Sequence, residues 1–123
     1  MKFLIIENDP KRAIEFEEFG IGTIFIDLEQ LGKQERQGHI DSVKSKHRIS
    51  DIRYMKSSLK NADVLVRIDP INPNSKNQID QVIKAGADII MLPFFSTYSE
   101  VEFFFKCIDG RARTKLLFEH IDA

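Results

Sequence analysis

Thr23–Glu29 (TIFIDLE), Val64–Asp69 (VLVRID) and Lys115–His120 (KLLFEH) are apolar runs of strand length, and each finishes in charged residues. A buried strand that ends in an acid or an arginine carries a polar group at its C-terminal end, where parallel α/β folds bind ligands. Two acids, an arginine and a further acid are therefore expected on one rim. That composition suits a metal ion and an anionic substrate.

Between these runs the chain alternates strand and helix signals. Phe3–Ile6 reads as a first buried strand, and Asp9-Pro10 opens a helix with aspartate at the N-cap and proline at its first position. That helix reaches Phe19 and stops at Gly20. Thr23–Leu28 is the second strand, rich in β-branched and aromatic residues. After a long polar stretch from Glu29 to Ile49, Ser50 is expected to cap a helix whose apolar stripe is Ile52, Met55 and Leu59. Val64–Ile68 is the third strand, followed by a turn-rich loop with Pro70 and Pro73. A third helix carries Ile79, Val82 and Ile83 and ends near Gly86. Asp88–Leu92 is the fourth strand, closed by Pro93. Ser99 and Glu102 have capping-box spacing for a fourth helix ending at Gly110. Lys115–His120 is the fifth strand. Repeated alternation with continuous apolar strands predicts a parallel sheet covered on both faces.

Composition narrows the function classes. At 123 residues the chain is expected to be one domain, residues 1–123, large enough to bury a core. A formal net charge of −1 argues against a nucleic-acid partner, since such modules are usually strongly basic. The single cysteine, Cys107, excludes an internal disulfide and a thiol-rich metal site, fits a reducing cytoplasm, and is expected to fill a helix face. No run approaches the roughly 18 apolar residues of a membrane span. Met1-Lys2 leads into a strand rather than a signal peptide. A complete (β/α)₈ barrel needs about 250 residues. The expected architecture is accordingly either a five-stranded open sheet or the N-terminal half of such a barrel.

Side chains alternate along a strand, so Asp27 and Glu29 share a face, as do Arg67 and Asp69, and Leu117 and Glu119. If those faces point inward, Glu29, Arg67 and Glu119 surround one pocket. A carboxylate holding a hard divalent cation can chelate a 2-oxo acid, and an arginine beside it can bind the substrate carboxylate or an enolate oxygen. The structural alternative is that Arg67 simply pairs with Asp27 or Asp69.

Four stretches in series, IFIDLEQLGKQERQ (24–37), VLVRIDPIN (64–72), AGADIIMLP (85–93) and LLFEH (116–120), resemble the HpcH/HpaI aldolase/citrate lyase family in order and spacing. The resemblance covers the chain from about Gly20 onward. It implies a TIM-type barrel, represented here by about five strands, and a lyase that makes or breaks carbon–carbon bonds through an enolate. It further implies Mg²⁺ or Mn²⁺ bound by Glu119, substrate binding by Arg67, and a catalytic acid at Glu29. The implied substrates are a 2-oxo acid or an acyl-coenzyme A thioester, in a cytoplasmic homo-oligomer. The sequence departs from the family at Gln30, where aldolase members carry histidine. It departs again at Phe94, where citrate-lyase-like members often carry lysine, and at His120, where a small hydroxyl residue is common. The family's second metal aspartate belongs to a following strand, so the chain alone is expected to be an incomplete site.

Other features stay open. Lys33, Arg36, His39, Lys44, Lys46, His47 and Arg48 concentrate positive charge in a long loop suited to phosphate, a coenzyme A tail or an acidic substrate, or else form a solvated surface. Phe103, Phe104 and Phe105 are adjacent, so either a wide buried face covers them or one meets another unit or chain. Two further readings compete: a non-catalytic remnant or interaction domain, with an exposed sheet edge and apolar face, and a receiver-like signalling domain using Glu7, Asp9 and Asp69.

Overall fold

The apolar runs form the strands, and the Asp, Pro and Gly punctuation between them bounds the helices. The computed structural model describes residues 3–7, 9–30 and 48–117. In chain order the elements are β1 (Phe3–Ile6), α1 (Pro10–Glu18), β2 (Ile21–Asp27), α2 (Ile49–Ser58), β3 (Asp63–Arg67), α3 (Ser75–Ala85), β4 (Ile89–Leu92), α4 (Tyr98–Ile108) and β5 (Arg113–Leu116). All five strands are parallel, in the order β1-β2-β3-β4-β5. The α/β fold with alternating units is thus as expected.

The described helices all pack on one face of the sheet, whereas the expectation is of a sheet covered on both. In a sheet whose crossovers all step the same way, right-handed connections place every helix on one side. The burial pattern agrees. Ile24 and Ile26 of β2, Val64 and Val66 of β3, and Ile90 and Leu92 of β4 share one core with Ala13 of α1, Ile52 and Met55 of α2, Ile79 and Val82 of α3, and Phe104 of α4. Consecutive helices touch, α1 to α2, α2 to α3 and α3 to α4, as members of a single layer do. The alternate strand residues Phe25, Leu65 and Ile89 form a second cluster with Met91, and no described helix contributes to it. On that face Leu4 and Ile6 of β1 are 51% and 59% exposed. The sequential order also differs from the 2-1-3-4-5 order of receiver domains, so the receiver-like arrangement is not the one present.

Local signals explain most boundaries. Asp9 caps α1, its side chain accepting from the Lys11 N–H at 3.0 Å, with Pro10 following. Ser50 is not the cap of α2: Arg48 is, and Asp51 accepts the Arg48 N–H at 2.7 Å, leaving Ser50 in the first turn. The capping box of α4 lies two residues before the expected pair. Thr97 Oγ1 accepts from the Glu100 N–H at 3.2 Å and Glu100 Oε1 accepts from the Thr97 N–H at 3.2 Å. Gly86 ends α3 with φ +112°, a backbone conformation that favours glycine, and a Cβ there would also press on Lys56 Cγ at 3.2 Å. Asp88, two residues on, accepts from Lys56 Nζ at 2.9 and 2.7 Å and from the Val64 N–H at 2.9 Å. The Gly-Ala-Asp motif is therefore a brace joining α2, β3 and β4 at the end opposite the candidate site.

Phe104 is fully buried, while Phe103 and Phe105 are exposed, so no wide buried face covers the triplet. Cys107 is buried against the helix layer, and burial pushes its thiol above the ordinary range. It fills a helix face, as expected.

Glu17 ties the end of α1 to the turn before β3. Its carboxylate accepts from the backbone N–H groups of Lys60 at 3.0 Å, Asn61 at 2.5 Å and Ala62 at 2.6 Å. Burial raises its pKa, but these backbone bonds outweigh that and hold it below the usual carboxylate value. A carboxyl depressed in the folded state stabilises above its unfolded value, and that stability is lost as pH falls through the folded one. Glu17→Gln is expected to cost about 1–2 kcal/mol at neutral pH. Urea unfolding of both proteins should show that difference shrinking in acid; a difference that stays constant with pH would contradict it.

Candidate functional site

Parallel strands bring all their C-terminal ends to one rim, and β2 and β3 deliver charged residues there. Asp27 and Arg67 are register partners, so their side chains leave the sheet side by side on the face away from the helices. The pair is bidentate: Arg67 Nε donates to Asp27 Oδ1 at 3.0 Å and Nη2 donates to Oδ2 at 2.6 Å. Both side chains are largely enclosed, at 16% and 10% exposure for Arg67 and Asp27. The guanidinium carbon lies 5.6 Å from the centre of the Phe25 ring, two residues before Asp27 on β2, which limits its swing.

The next residues extend this cluster. Leu28 N–H donates to the Arg67 carbonyl at 2.9 Å, carrying the β2–β3 ladder past the strand end. The Glu29 N–H turns back to Asp27 Oδ1 at 3.1 Å, and the Gln30 N–H donates to Asp69 Oδ1 at 2.6 Å. Asp69 is fixed in turn by Gln78 of α3: its own N–H donates to Gln78 Oε1 at 3.0 Å, and Gln78 Nε2 donates to Asp69 Oδ2 at 3.3 Å. Two carboxylates from neighbouring strands thus pin the peptides on either side of Glu29. Glu29 itself is 1% exposed.

Of the residues expected at the site, Arg67 and Glu29 are brought to one rim, joined through Asp27. The ion pair that the sequence allows as a structural alternative, Arg67 with Asp27, is present. Glu119 and His120 lie outside the described residues, as do Lys33, Arg36, His39, Lys44, Lys46 and His47 of the basic loop. Arg48 is exposed at the head of α2. Two features of the cluster go beyond the sequence analysis: Asp27, expected there only as an alternative partner of Arg67, also accepts the Glu29 N–H, and Gln78 clamps Asp69. The signal for Asp27 is its alternation with Glu29; nothing in the sequence distinguishes Gln78.

Among the described residues no group of three His, Cys, Asp or Glu side chains is placed to hold a metal ion. Asp27 accepts from Arg67 and from the Glu29 N–H, and Asp69 accepts from Gln30 and Gln78. A groove of about 740 Å³ opens elsewhere on the same sheet face, toward the strand N-termini, between Leu4, Leu65, Ile89, Met91, Arg113 and Lys115. Its rim carries the Arg113–Asp63 ion pair at 2.8 Å. No described helix is long and apolar enough to cross a membrane. No protein-family model matches this sequence, and no curated protein matches it.

Removing one partner from so enclosed a pair strands the other's charge. Arg67→Met is expected to cost about 2–4 kcal/mol. The double variant Asp27→Asn/Arg67→Met should cost clearly less than the two single changes added together. A double-mutant cycle in urea checks this, and strict additivity would show the pair to be uncoupled.

Proposed function

We infer that the chain is an aldolase/citrate-lyase-like domain. Its rim at Arg67 and Glu29 binds the carboxylate of a 2-oxo acid, or of a related acyl-coenzyme A substrate, and supports enolate chemistry. The observation that carries this reading is the enclosed, bidentately held guanidinium at the C-terminal ends of parallel strands, beside a buried glutamate. A planar fork fixed in place suits a carboxylate or an enolate oxygen better than a mobile lysine would. The sequential winding of the sheet supports the partial-barrel reading, because a (β/α)₈ barrel steps from strand to strand in the same way.

In this reading the carbon–carbon bond between the carbons α and β to the keto group breaks, the β carbon bearing a hydroxyl. Its electron pair passes to the enolate of the 2-oxo fragment, and the hydroxyl proton of the other fragment leaves as that fragment becomes a carbonyl. Arg67 stabilises the developing oxyanion through its fixed N–H donors. Glu29 is the acid on the same rim and the candidate for handling the proton. Mg²⁺ or Mn²⁺ belongs to this proposal only through Glu119, and none of these steps runs through a metal.

A second reading, a non-catalytic interaction domain, draws on the exposed Leu4 and Ile6 of the face that carries no described helix. Calorimetric titration of the chain with oxaloacetate and with pyruvate, in the presence and absence of Mn²⁺, separates the two. The lyase reading expects binding that Arg67→Lys weakens by roughly tenfold or more, since lysine keeps the charge and loses the fork. It also expects Mn²⁺ affinity to fall by a similar factor in Glu119→Gln. A folded chain that binds neither acid would favour the interaction reading, and unchanged affinity in Arg67→Lys would remove Arg67 from the site.

A further inference from the structure

We propose that Asp27 is the positioning residue of this rim, setting the orientation of the Arg67 guanidinium and the placement of the Glu29 backbone through one carboxylate. This deepens the lyase reading and, in its consequence for substrate, rests on it.

The geometry comes from three donors converging on Asp27: Arg67 Nε at 3.0 Å, Arg67 Nη2 at 2.6 Å and the Glu29 N–H at 3.1 Å. Oδ1 is common to Arg67 Nε and to the Glu29 N–H, so the two bonds are coupled through one acceptor. An arginine has several long-chain rotamers; holding it by the Nε edge leaves it essentially one. The Phe25 ring limits motion out of the fork plane from the same strand as Asp27. Gln30 N–H on Asp69, itself clamped by Gln78, closes the arrangement from the β3 side. The carboxylate on β2 therefore fixes a cation on β3 relative to an acid two residues beyond it on its own strand's extension. A group that must meet a developing charge gains from being fixed before substrate arrives.

A role confined to stability would leave the state of the Arg67 side chain immaterial, so the test reads that side chain directly. In ¹⁵N-labelled chain, the Arg67 Nε–Hε resonance, assigned by its absence in Arg67→Lys, is expected to be shifted and slow to exchange with water. In Asp27→Asn, with the fold retained by circular dichroism, that signature should be lost and oxaloacetate affinity should fall by roughly tenfold or more. Asp27→Glu should restore part of both. Retention of the Hε signature in Asp27→Asn overturns the proposal, as does its loss with no change in oxaloacetate affinity. If the unaltered chain binds no 2-oxo acid, the lyase reading falls. The Hε signature then decides positioning alone: lost in Asp27→Asn it supports the proposal, retained it overturns it. Should Asp27→Asn fail to fold, Asp27→Glu carries the test, since its longer arm must displace the guanidinium and shift the Arg67 resonance; an unmoved resonance there overturns the proposal.

Discussion

Every crossover in this sheet steps to the next strand in the same direction, and a right-handed strand–helix–strand unit can then lay its helix on only one side. That constraint sorts the described strands and helices. Even-numbered residues of β2, β3 and β4 enter the core shared with α1 to α4, and odd-numbered ones go to the opposite face. A single change of direction, as in doubly wound folds, would have divided the helices between two faces and created a crevice at the reversal. No such crevice exists among the described strands. The charged residues of the candidate site gather instead at the strand ends, on the face without a described helix.

The same sorting explains how two ordinary structural devices end up at opposite ends of the sheet. Asp88 braces the N-terminal ends of β3 and β4 by taking Lys56 and the Val64 N–H. Asp27 sits at the C-terminal end of β2 and takes Arg67. Both are carboxylates in cross-element ion pairs, yet they differ in surroundings. Lys56 is a partner on a helix whose side chain is 42% exposed. Arg67 is enclosed on a strand, stacked near Phe25, with a buried glutamate two residues beyond its partner. An exposed brace contributes modestly to stability, whereas an enclosed fork carries a desolvation cost that packing alone does not require.

Much of this is legible from residues. Strand existence follows from apolar runs such as Val64–Ile68, and the Asp9-Pro10 helix start and Gly86 stop follow from backbone chemistry that few residues satisfy. Serine misleads twice. Ser50 and Ser99 are competent caps, but Asp51 accepts the Arg48 N–H and Thr97 pairs with Glu100, so each helix begins earlier. Cap choice is a competition among neighbours, which a single candidate residue does not reveal. The covering of both faces is not seen among the described helices, for a related reason. Phe25 and Leu65 are indeed buried, as continuous apolar strands imply, but burial on a face does not say that a helix provides it. At the site, alternation places Glu29 and Arg67 at strand ends on one rim. The joint claim of Arg67 and Glu29 on Asp27, by contrast, depends on inter-strand register, which no local pattern encodes.

Pairing between Arg67 and Asp27 and binding of a ligand by Arg67 look, from sequence, like alternatives. The geometry removes that opposition. An arginine with no partner would be costly to enclose and poorly oriented, and it would meet a ligand only after losing rotamer freedom. A partner that takes the Nε edge offsets the cost of enclosure and fixes the plane of the guanidinium in the same contact. Structural pairing at this rim is thus compatible with the ligand role proposed for Arg67, and the more completely Asp27 is committed to Arg67, the better defined the field that Arg67 presents.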